Sequence, residues 1–200
     1  MNLLLLLRQD GWTVPESPSG RRQTLVHKLL EVTPLGDAWA VEDLADRLPE
    51  LFAAGGDQDA GRNRALHFAF GELCGNAISH GGGSPIYAAA QRYSGLSSGP
   101  PARLELAVAD AGVGIPTHLR GNPRYADLQD RRAVALALKP GVTGTRDRRG
   151  YGFYDILRET GEVGEGEMVI YSGRAAAVIP FGQPGRRRRF SRLPQALPGA

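Results

Sequence analysis

The chain has 200 residues, 42% of them hydrophobic and 22% charged, enough apolar content for the core of one domain; its single cysteine excludes an intramolecular disulfide and a thiolate metal cluster. The formal charge is only +3, and arginine supplies nearly all the positive side: Lys28 and Lys139 are the sole lysines, and Arg186 to Arg189 stand together near the C-terminus. A nucleic-acid binder spreads such charge over a folded face or interleaves it with aromatics, which make up only 7% here, so the balance argues against a nucleic-acid partner and for a solvated basic tail.

In chain order, Met1 to Leu7 holds five leucines, too few for a signal peptide or a membrane span, and reads as a strand or a tail. A cytoplasmic location is therefore expected. Residues 8–22 carry Gly11, Pro15, Pro18 and Gly20 and read as a linker. Helical patterns follow over Gln23 to Glu31 and over Ala38 to Phe52, where Leu44, Leu48 and Leu51 share a face. A third runs from Gly61 to His80 and is closed by Gly81, Gly82 and Gly83.

The period then changes. Ile86 to Tyr93 reads as a strand, 94–102 as a loop, and Leu104, Leu106 and Val108 alternate along a second strand that ends at Asp110. Residues 116–149 are polar and broken by Gly and Pro, with room for a helix over Leu128 to Leu138; a connection of that length is usually functional or mobile. A short helix over Tyr151 to Thr160 precedes a hairpin in which Met168 to Tyr171 and Ala175 to Ile179 flank Ser172-Gly173-Arg174. The order implies an α+β chain, a two-layer α/β sandwich with helices on one face of a largely antiparallel sheet. The domain is expected over 23–182, with a basic, Pro-containing tail over 183–200.

Three stretches carry the chemistry. On the third helix Leu66, Ala69, Phe70, Leu73 and Ala77 fall in one arc, and Glu72 and Asn76 stand on its border, one turn apart. Such a pair can simply hydrogen-bond on a solvated flank. Asp110-Ala111-Gly112-Val113-Gly114 puts alternate glycines after a carboxylate at the sheet's edge, where a flat ligand can meet the main chain and an exocyclic amine can donate to the aspartate; it can also be a plain turn. Thr143-Gly144-Thr145 and Gly150-Tyr151-Gly152 lead into a helix whose free amides, with arginines beside them, suit an anion such as phosphate. No Walker A lysine follows these glycines.

In order and spacing, "ELCGNAISH", "DAGVGIP" and "GTRDRRGYGF" resemble the N, G1 and G2 boxes of the GHKL, or Bergerat-fold, ATPase superfamily, over roughly Gly61 to Gly182. The resemblance implies a mixed, mostly antiparallel sheet covered on one face by helices, a lid over about 116–149, and ATP and Mg²⁺ as cofactors. It gives Asn76 the metal, Glu72 the role of base, Asp110 the adenine amino group, and Gly112 and Gly114 the purine floor. Thr143, Gly144, Thr145, Arg149, Gly150 and Gly152 become the phosphate contacts, with Arg146 a further candidate; simple solvation of the loop is the alternative for Arg146 and Arg148. This sequence departs from the pattern in a sparser glycine run, in Phe153 where leucine is usual, and in the bulky Tyr151. His80 reads as a helix-end residue, since His27, His67 and His118 offer it no partner at metal spacing, and Cys74, about 200° round the helix from Glu72, reads as packing.

Few residues follow Phe181, which argues against superfamily members that need a transducer domain. The chain is most similar to anti-sigma factor serine/threonine kinases and related ATP-binding regulators. That resemblance implies phosphoryl transfer to a protein partner, a sigma factor or small antagonist domain, with a homodimer possible and no membrane involved. The alternatives are a nucleotide-gated protein-binding switch without phosphoryl transfer, a histidine-kinase-like ATPase domain, and slow ATP hydrolysis driving a conformational cycle.

Overall fold

A computed structural model of the chain describes residues 29–36, 38–53, 60–93, 103–145 and 150–197. The segment Met1 to Leu7, the linker over 8–22 and most of the first expected helix lie outside the described residues.

The first described element is strand β1, Leu29–Leu35, so Leu29 to Glu31 are extended where the sequence pattern predicts helix. Val32 and Thr33 are β-branched, and β1 pairs antiparallel with β2, Ile86–Tyr93; cross-strand partners, absent from any local pattern, decide the conformation. Pro34 is tolerated because β1 is an edge strand. β3, Arg103–Asp110, completes a three-stranded antiparallel sheet in the order β1-β2-β3, with Ile86 opposite Asp110.

Helices α1, Ala38–Ala53, and α2, Ala60–His80, pack on this sheet. Leu44 and Leu48 face the core as their spacing predicts, while the side chain of Leu51 is outside the described set. Phe70, Cys74 and Ala77 of α2 meet Ile86, Ala88 and Ala90, the alternate residues of β2.

Beyond β3 the expected lid holds ordered structure: α3, Gly114–Arg120, a 3-10 turn over Pro123–Tyr125, and α4, Asp130–Ala137. α5, Gly152–Val163, then leads into β4, Gly166–Phe181, and β5, Arg189–Leu197, which form a separate two-stranded antiparallel sheet. Their core is Val134, Leu138, Ile170, Ala175, Ala177 and Ile179. The fold is thus α+β with two antiparallel sheets, where the sequence reading anticipates one sheet. The two halves meet chiefly where α2 packs against α5.

Two further expectations are corrected. The signal at Ser172-Gly173-Arg174 is not a hairpin turn: β4 runs through it. Gly173 takes φ +58, and a Cβ there would stand 2.7 Å from Asp130 Oδ2, which accepts the Arg174 amide at 2.7 Å, so the glycine serves a close approach within the strand. Nor is 183–200 only a tail, because β5 occupies 189–197. Phe190 lies opposite Ala177 and packs on the second core, giving the basic segment an apolar anchor that its charge conceals in the sequence. Arg186 ion-pairs with Glu167 at 3.1 Å, so the arginine run belongs to the turn and strand start, not to a free end. Among the described residues, no helix is long and apolar enough to cross a membrane.

Candidate functional site

The site is organised along α2. With Phe70, Cys74 and Ala77 turned into the core, Glu72 and Asn76 stand half-buried at its margin, and His80 continues the same stripe one turn further on. Each of the other two motifs reaches this stripe.

Glu72 and Asn76 meet the start of α5. A Cβ on Gly152 would lie 2.8 Å from Glu72 Oε2 and 3.2 Å from Asn76 Nδ2, so the absence of a side chain is what admits the two polar groups. The helix N-terminus assigned to phosphate therefore already faces a carboxylate, which its amides and dipole favour. A phosphate brought to the same place meets a like charge, and a divalent cation between the two anions is the chemistry that reconciles them.

At the C-terminal end of α2 the Asp110 turn closes against Gly81. Asp110 Oδ1 accepts the Gly112 amide at 2.7 Å, and a Cβ on Gly112 would stand 2.5 Å from Gly81 Cα. Gly81 in turn donates to Ala77 O at 2.7 Å, closing the helix. Gly114, at φ +73, opens α3, and the next amide, Ile115 N, donates to the wholly buried Ser172 Oγ at 2.8 Å. Beside Gly81 the buried Ser84 Oγ has no hydrogen-bond partner among the described residues, an orphaned polar atom next to the turn expected to meet a purine.

The third motif is pinned at both ends. Gly141 N donates to Gly150 O at 3.0 Å, and Gly150 takes φ +103 where a side chain would collide with the Val142 backbone. Thr143 and Thr145 bring their hydroxyls to 3.1 Å of each other. Gly144 N donates to His118 Nε2 at 3.3 Å, and the His118 ring stands 4.1 Å from that of His80. Burial, then the charge of His80, hold His118 below its ordinary value of 6.5, consistent with an imidazole that accepts a proton donor at Nε2. Arg146 to Arg149 lie outside the described residues.

The structure thus brings Glu72, Asn76 and Gly152 together at one level of α2. Asp110 and Gly112 come to Gly81 at its end, and Gly144 reaches the same end through His118 and His80. The two-histidine contact was missed by sequence reasoning. His118 lies 38 positions from His80 in an apparent loop, and only the nearness of His80 to the end of its helix hinted at a partner. Among the described residues no group of three or more His, Cys, Asp and Glu could hold a metal, so this pair is not part of such a cluster. Cys74 is enclosed, and burial pushes its thiol up to about 12, which fits packing and not nucleophilic chemistry. A cleft of about 760 Å³ lies elsewhere, along 123–136 and Phe190, and no motif residue lines it. We place the candidate site on α2 despite that cleft, because the polar groups that converge are there.

No protein-family profile matches the chain, and neither a curated protein nor a solved structure matches it significantly.

Proposed function

We propose that the chain is a Mg-ATP-binding regulatory protein of the Bergerat type, acting as a serine/threonine protein kinase of the anti-sigma factor kind on a protein antagonist. The observation that carries this reading is the convergence of three separate motifs on the Glu72, Asn76, His80 stripe of α2. Asn76 offers a carboxamide oxygen, a hard ligand suited to Mg²⁺, an ion that completes its shell with water and phosphate oxygens and needs no protein cage. The ion's contribution when bound is to neutralise charge between phosphate and protein.

The chain's own residues do the rest. Glu72, one turn from Asn76, takes the proton of the acceptor hydroxyl. Asp110 keeps its side chain fixed through the Gly112 amide and presents the carboxylate to an exocyclic amine. The α5 N-terminus and the Thr143, Gly144, Thr145 segment face the phosphates. A binding switch without transfer would use the same groups, and the Gly141 N–H to Gly150 O hydrogen bond, which ties the described flanks of this motif together, is the observation that favours it.

Calorimetry with Mg-ATP tests the pocket, and Asp110→Asn is expected to lose most of the affinity while keeping the wild-type melting curve; an absence of heat for wild type would end the reading. Radiolabel transfer to a co-purified partner separates kinase from switch. Glu72→Ala is expected to abolish transfer and retain nucleotide, and unchanged transfer would exclude Glu72 as the base.

A further inference from the structure

The cleft away from the motifs has its own chemistry. α4 is fixed at its first residue, Asp130, whose carboxylate accepts the Arg120 guanidinium and the Arg174 amide, while Arg120 Nε also donates to Leu128 O at 2.9 Å. Ala133 and Val134 are wholly buried, so α4 turns the flank carrying Arg131, Arg132 and Leu136 outward. Half-buried Leu128, Leu136 and Phe190 line the floor, and exposed Arg124, Arg131 and Arg132 the rim. Neither Arg131 nor Arg132 has an ion-pair partner among the described residues. Asp130 is already engaged, which leaves Asp127 as the one carboxylate among the described residues that line the cleft. Arg192, exposed and on the same strand face as Phe190, extends the basic margin.

We propose that this cleft docks an acidic segment of a protein partner, whose apolar side chains fill the floor and whose carboxylates meet the arginine rim. Guanidinium groups bind carboxylates through paired hydrogen bonds, and uncompensated positive charge around an apolar floor selects a ligand with both features. A nucleic acid fits less well. The floor is aliphatic apart from Phe190, and Arg124 lies over one face of the Tyr125 ring at 5.7 Å, which leaves little of the aromatic stacking surface that single strands use. The proposal does not depend on nucleotide binding, since no motif residue lines the cleft, and its test contains no nucleotide.

Fluorescence anisotropy with a labelled peptide, Asp-Glu-Phe-Leu-Asp-Glu-Leu-Asp, and the full chain at low salt reads the interaction directly. Binding is expected to weaken as salt rises and to fall about tenfold or more in the double variant Arg131→Glu/Arg132→Glu. The double variant Arg187→Glu/Arg188→Glu makes the same charge change on an exposed turn outside the cleft and is expected to keep wild-type affinity. All four positions are exposed, so thermal melts should match wild type and equate the folded fractions. Equal losses in both variants would reduce the effect to general charge attraction and overturn the proposal. So would a lack of binding by wild type, or tighter binding of a single-stranded oligonucleotide than of the peptide.

Discussion

Gly150 and Gly152 look alike in the sequence and answer to different constraints. Gly150 sits at φ +103 against backbone, so Gly150→Ala is strained whatever moves around it and is expected to lower the melting temperature. At Gly152 an added methyl meets only the ends of two flexible side chains, Glu72 and Asn76. Gly152→Ala is therefore expected to fold at least as well as wild type, gaining up to about 1 kcal/mol from a less flexible unfolded chain. Under the proposed function it should nevertheless lose Mg-ATP affinity because Glu72 and Asn76 are pushed aside; calorimetry and a thermal melt on the same variant check both halves. Asp130 gives a pH signature. Burial raises its carboxyl, but the Arg174 amide, the Arg120 hydrogen bond and the charges of both arginines outweigh that and hold it below the ordinary 3.8. The folded chain thus releases this proton more readily than the unfolded one. Its contribution is present above 3.8 and is lost as the pH falls through the lowered value. Melting temperature against pH, wild type minus Asp130→Asn, should shrink on acidification over that window.

Elements with a strong local period were legible from sequence, and those made by distant partners were not. α1, α2, β2 and β3 follow the apolar spacing of Leu44 and Leu48, of Phe70 and Ala77, and of Ile86, Ala88 and Ala90. β1 was misread because Leu29 and Leu30 take their conformation from Gln91 and Ala90, some sixty residues away. β5 was missed because Arg189, Arg192 and Pro194 mask one anchor, Phe190. The run through Ser172 to Arg174 hides an interaction of the opposite kind: the Ser172 hydroxyl takes up the amide that opens α3. Ser172→Ala leaves Ile115 N–H without this acceptor in a part-buried position, at a cost of about 1–3 kcal/mol. Chemical denaturation checks it, with a lower midpoint at unchanged slope expected. For the candidate site, the sequence offered the three motifs and their order. It could not show that the His80 and His118 rings meet, because their contact is set by how α3 returns to α2.

On the scale of the whole molecule, two hydrophobic cores share one seam, where α2 meets α5, and the candidate nucleotide groups are drawn from both sides of it. Phe70 anchors the first core and is wholly enclosed; Phe70→Ala is expected to cost about 3–5 kcal/mol in a denaturant melt. The arginine-rimmed cleft belongs to the second core alone. The chain's only thiol, on Cys74, is sealed beneath α2. It is consequently a built-in stopwatch, because a thiol-reactive dye can mark the protein only in the moments when that helix lifts from β2. Mg-ATP gripping both sides of the seam, as proposed, would lengthen the wait in inverse proportion to the unliganded fraction, whereas a peptide held only at the distant rim would leave the clock running at its usual pace.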